Sequence, residues 1–134
     1  MSSRRVVVLV AVVACAWSTA SCAGAQDTAV ADAATGLLDA ASSGDGATAC
    51  SLLAPPVRTE LQDASGHSCE RAVLDEGLEE VSGAVETQVF DTSAQAVVGT
   101  QTLFLARFDG QWLVIGAACS AVPAHPYDCN IGMP

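Results

Sequence analysis

Lysine is missing from this chain, and all five of its basic residues are arginines. Two of them, Arg4 and Arg5, stand directly before an unbroken apolar run from Val6 to Trp17. That run falls short of the roughly 20 residues a membrane-spanning helix needs, so it reads as the apolar region of a signal peptide, followed by small residues from Ser18 to Gly24. With the leader removed, Arg58, Arg71 and Arg107 stand against 15 acidic residues. Such a surface repels nucleic acid and anionic membrane and favours solubility, and nothing basic is left to bind a phosphate backbone. Also missing are a CxxC pair, a phosphate-cradling glycine loop and any local Ser-His-Asp or Cys-His arrangement, the usual sequence signs of zinc, nucleotide binding or nucleophilic catalysis. No catalytic residue, metal ligand or cofactor is assigned.

What is present is a hydrophobic content of 51%, enough for one domain with a core. The leader ends in Thr19-Ala20-Ser21-Cys22, which resembles the lipobox of bacterial lipoproteins, whose cysteine is diacylated and becomes the new N-terminus. Thr19 stands where leucine is usual. This divides the chain into a lipoprotein signal over 1–21, a small polar tether over 22–28, a domain over 29–119 and a tail over 120–134. Lipidation at Cys22 makes the membrane a partner through the anchor and places the protein outside the cytoplasm, on the outer face of the plasma membrane. The alternative is cleavage after Ala23-Gly24-Ala25, which releases a soluble secreted protein beginning at Gln26.

Cysteine usage points the same way. Cys15 leaves with the signal and Cys22 is lipidated or removed, so Cys50, Cys69, Cys119 and Cys129 remain, an even set that reads as two disulfides outside the cytosol. Of three connectivities, Cys50 with Cys69 and Cys119 with Cys129 is favoured, because each closes a short loop, and each bridge contributes about 3 kcal/mol on chain-entropy grounds. A zinc site adding His67 or His125 is the weaker use of the same cysteines.

Thr100 to Cys119 organises the domain. Two apolar runs flank Asp109-Gly110, which accepts the positive φ angles of a type I′ turn, and a two-residue turn there sets Arg107 opposite Trp112, Leu105 opposite Val114 and Phe104 opposite Ile115. Arg107 then packs on Trp112 as a cation-π pair. Both faces of the ribbon are apolar, so it needs cover on both sides. Upstream, Asp27 or Thr28 caps a helix with Val30, Ala33, Ala34, Leu37, Leu38 and Ala41 on one side, ending at Gly44-Asp45-Gly46. A short helix over 47–54 stops at Pro55-Pro56, and 57–61 adds a turn or two. A further helix starts at Ser68, carries Ala72, Val73, Leu74 and Leu78, and runs until Gly83 ends the helical part. Glu70, Asp75, Glu76, Glu79 and Glu80 form its solvated acidic face. Strands follow over 84–91 and 95–99, then the hairpin. The order predicts an α+β fold, a curved antiparallel sheet of about four strands packed on N-terminal helices. The proline-bearing tail over 120–134 is expected to form no long regular element and to be held by its disulfide, with Tyr127 or Ile131 covering apolar surface.

The succession of a helix, a Gly-Asp break, Ala49-Cys50-Ser51-Leu52-Leu53, a Cys-led helix and strands closing on Arg107-Phe108-Asp109-Gly110-Gln111-Trp112 resembles small exported actinobacterial lipoproteins with an NTF2-like (cystatin-like) domain. That resemblance implies a sheet curved around helices into a cone, and a pocket that some relatives use for isomerase or dehydratase chemistry with an acid or histidine inside. In this sequence Glu86 is the one candidate base, and strand alternation turns it away from Val85 and Thr87. His67 and His125 fall in loops. The expectation is therefore a non-catalytic domain that binds a small apolar ligand or an envelope protein. The alternatives are a small isomerase or hydrolase using an acid or histidine in the cone, and a structural accessory subunit of an envelope complex.

Overall fold

Among the described residues, every strand hydrogen-bonds to the strand next to it in the chain. The computed structural model describes residues 21–132. Within these residues four helices precede the strands: α1 (Ser21–Ser42), α2 (Gly46–Leu52), α3 (Pro55–Ser65) and α4 (Cys69–Asp75). The strands β1 (Val85–Phe90), β2 (Ser93–Val98), β3 (Gln101–Phe108), β4 (Gln111–Val122) and β5 (His125–Gly132) then form one antiparallel sheet in the order β1-β2-β3-β4-β5. The fold is α+β, with the helices packed on a curved, open sheet.

The stripe expected on α1 is the one that packs: Val30, Ala33, Ala34, Leu37 and Leu38 are buried, and Ala41 lies half-buried against them. The helix starts earlier than its sequence announces. Residues 22–28, expected as a tether, are helical, and Asp27 is not a cap but accepts a hydrogen bond from Thr87 Oγ1 at 2.9 Å. Alanine, the best helix former, together with contacts to the sheet carries the helix through a stretch that composition alone marks as linker. At the other end Gly44, at φ 81°, takes the left-handed conformation that stops α1. Asp45 then caps α2, its carboxylate accepting from the Thr48 N–H at 3.0 Å.

The prolines end α2 as expected, but they also open α3 from its first turn, and that helix runs to Ser65 rather than for a turn or two. The last helix is shorter than predicted. It ends at Asp75, Gly77 turns the chain at φ 65°, and Leu78 is buried from outside the helix. The disulfide Cys50–Cys69 joins α2 to the first residue of α4, with Cα atoms 5.8 Å apart. Gly46 permits this close pairing, since a Cβ there would collide with the Glu70 carbonyl.

In the sheet, Leu105 pairs with Val114 and Arg107 with Trp112 as the turn geometry required, and Asp109 and Gly110 both have positive φ. Phe104 faces Gly116 rather than Ile115. The register shifts twice along β4, between the partners of Thr102 and Phe104 and again between those of Phe104 and Leu105, with Ala118 at φ 51°. Extra residues in one strand bend and twist a sheet, and this bending is what lets it wrap α1.

The tail corrects a second expectation. Five strands form rather than about four, because residues 125–132 pair with β4 as an edge strand, where proline at 126 is tolerated. Cys119 and Cys129 are direct cross-strand partners and are joined by the second disulfide. Beyond Gly132, β4 is covered by the α2–α3 junction instead: Leu53 bridges Val114, and the Ala54 N–H donates to the Val114 carbonyl at 2.9 Å.

Candidate functional site

The interior between α1 and the sheet is filled by the protein's own side chains. Leu37, Leu38, Leu53, Leu103, Leu105 and Ile131 are each less than 2% exposed, and no polar or charged residue is buried among the described residues. An apolar guest placed among these side chains would have to displace leucines. The three best-defined concavities are open grooves at the periphery. One, of about 490 Å³, lies between the end of α1 and the start of α2, with Asp39, Asp45, Thr48 and Glu80 on its walls. Another, of about 450 Å³, is lined by Gly46, Ser68, Glu70, Arg71 and Asp75. The third, of about 460 Å³, lies by Val122, Pro126, Tyr127 and Asp128.

The residues that sequence offered for chemistry do not converge. Glu86 is exposed in β1, where alternation turns Val85, Thr87 and Val89 toward the helices and Glu86, Gln88 and Phe90 away. His67 is exposed beyond the end of α3. His125 does not lie in a loop but begins β5. The four cysteines are consumed in disulfides and offer no thiolate to zinc, and no group of three metal-binding side chains occurs among the described residues. Two carboxyls are perturbed, both on the surface. Asp45 is held below the usual aspartate range by the Thr48 hydroxyl and then its backbone N–H, and Glu70 by its own N–H and then the Ser68 hydroxyl. Both are helix-start effects, which order the chain rather than move protons.

Of the arginines, Arg58 donates from Nε to the Leu53 carbonyl at 2.7 Å and from Nη2 to the Ser51 carbonyl at 2.8 Å, satisfying the end of α2. Arg71 makes a 3.8 Å exposed pair with Asp75, worth little in water. Arg107 lies over Trp112, 5.8 Å from the ring centre, as expected.

Two surface features stand out, the first being the apolar cover expected of Tyr127. On the sheet face turned away from α1, Tyr127 of β5 meets Phe104 of β3 edge to face at 4.9 Å, and Gln95 Nε2 of β2 donates to Tyr127 Oη at 3.4 Å. Ile131, the tail's other apolar residue, is fully buried. The second feature is Phe90, at the end of β1, which leaves 64% of its surface exposed.

The disulfides place the domain in an oxidising compartment outside the cytoplasm. No helix among the described residues is long and apolar enough to cross a membrane. The leader and the Cys22 side chain, on which lipidation turns, lie outside the described residues. Compared with known proteins, the chain matches no family model, no curated protein and no solved structure.

Proposed function

We propose that this chain is an exported envelope protein, lipid-anchored at Cys22, whose domain works by binding a protein partner rather than by catalysis. The observation that carries the reading is the filled interior, with Glu86 and His67 both facing solvent. A domain whose interior is filled by leucines and whose Glu86 and His67 face solvent is suited to interaction through its surface, and the outer sheet face with Phe104 and Tyr127 offers one. The packed interior favours a protein partner over the small apolar ligand. The element order, helices followed by an antiparallel sheet curved over them, supports assignment to the NTF2-like group, with the cone closed by the protein's own leucines. The exposure of Glu86 and His67 favours this reading over an isomerase or hydrolase using an acid or histidine.

Intact-mass analysis of the mature protein from its own cells tests the anchor. The expected species begins at Cys22, carries acyl groups and lacks four cysteine hydrogens, whereas an unlipidated chain starting at Gln26 overturns the anchor. Glu86→Gln and His67→Gln chains, returned to cells lacking the protein, are expected to restore whatever that loss impairs. Failure of either at normal abundance overturns the non-catalytic reading.

A further inference from the structure

The end of the molecule where α1 begins carries a surface that the anchor alone does not explain. The later part of α1, at Asp39 and Ala40, lies beside Glu80, upstream of β1, while Asp27 near its start is bonded to Thr87 within β1. The helix therefore runs antiparallel to β1. From the Asp27–Thr87 bond, the backbone of Cys22 lies five helical residues farther out, about 7.5 Å. Phe90 lies three strand residues out in the same direction, about 10 Å, so the two come level. The turns after β1 and β3, at Asp91-Thr92 and Asp109-Gly110, sit at this same end.

Nothing slack separates the two. Gln26 Oε1 accepts from Trp112 Nε1 at 2.7 Å and Asp27 from Thr87, so the helix is fixed to the sheet within about one and a half turns of Cys22. A single exposed phenylalanine is ordinary on a protein surface. It projects from the sheet face opposite α1, yet it stands at the same end and level with the point of attachment, and that height gives it meaning. Arg107, exposed and stacked on Trp112, belongs to the same end. Unlike Arg58 and Arg71, its guanidinium has no carbonyl or carboxylate partner among the described residues. Aromatic and long cationic side chains are the pair that suits the boundary between acyl chains and headgroups. Asp91 and Asp109 flank this end, so charge does not draw it to the bilayer; attachment does.

We propose that this end docks on the lipid bilayer itself, with Phe90 at the acyl-chain boundary and Arg107 among the headgroup phosphates. The domain then sits flush on the membrane and presents its sheet face sideways. The proposal rests on the reading of Cys22 as the lipid acceptor.

The test uses full-length protein purified from membranes, with Cys22 acylation established by mass, in vesicles of phosphatidylcholine and phosphatidylglycerol bearing brominated acyl chains. Phe90→Trp places a reporter at the proposed contact, and Thr100→Trp places one in the β2–β3 turn at the opposite end. Emission of the unsubstituted protein, from Trp112, is subtracted. The Phe90→Trp signal is expected to fall about twofold or more on bromination while the Thr100→Trp signal stays unchanged, as shallow insertion of one side chain requires. Acylated protein whose two reporters are equally quenched, or both unquenched, overturns the docking and leaves the anchor standing. Protein without acyl groups on Cys22 overturns the anchor, and the docking with it.

Discussion

Trp112 donates its indole N–H to Gln26 Oε1 at 2.7 Å, fastening the first turns of α1 to the start of β4. Thr87 does the same from β1 through Asp27, so the helix is held between two strands that are not neighbours in the sheet. The Trp112→Phe chain keeps a ring in place but removes the donor and some packing. It is expected to lose about 1–2 kcal/mol of stability in urea unfolding. Thr87→Val is expected to cost less, since Asp27 stays near water.

The two disulfides close loops of different length, with sequence separations of 19 and 10. Removing the first as Cys50→Ala with Cys69→Ala is expected to cost about 3 kcal/mol, and removing the second somewhat less, because the shorter loop constrains the unfolded chain less. Guanidinium unfolding of both double variants checks the order.

Gly46 lies where α2 and α4 touch, and a methyl group there meets the Glu70 backbone carbonyl rather than a movable side chain. Gly46→Ala is expected to destabilise by about 1–3 kcal/mol although alanine is the better helix former. Gly24→Ala, in open space on α1, is the control, and its thermal midpoint should not fall.

The Asp45 carboxyl is held below its ordinary range by Thr48. A group depressed in the folded state binds its proton more readily in the unfolded one. Its contribution is therefore present above the unfolded aspartate range and is lost as pH falls through the lower, folded value. Asp45→Asn keeps a capping oxygen but does not titrate. The difference in thermal midpoint between the two chains is expected to be constant near neutrality and to shrink in acid.

How much of this was legible depends on where the physics is local. Asp109-Gly110 set the hairpin and with it the Arg107–Trp112 and Leu105–Val114 pairs, because a two-residue turn dictates register. Phe104 escaped, since an extra residue in β4 leaves no mark in a run of Val114, Ile115, Gly116 and Ala117. The helicity of 22–28 escaped because it depends on Trp112 and Thr87, distant in sequence. β5 escaped because Pro126 argues against a strand until the strand is known to be an edge. Alternation did settle Glu86, since strand periodicity places it outward whatever the sheet's neighbours. The Phe90 surface did not show, because exposure at one end of a strand depends on what the rest of the fold leaves uncovered.

The sheet is threaded in simple succession, and its two covalent bridges span only short separations. Within the sheet, contacts are local in sequence: each hairpin closes on a strand made immediately before it. As the chain is made N-terminus first, the strands can therefore be laid down one after another, and the start of α1 is locked only when Thr87 and then Trp112 arrive.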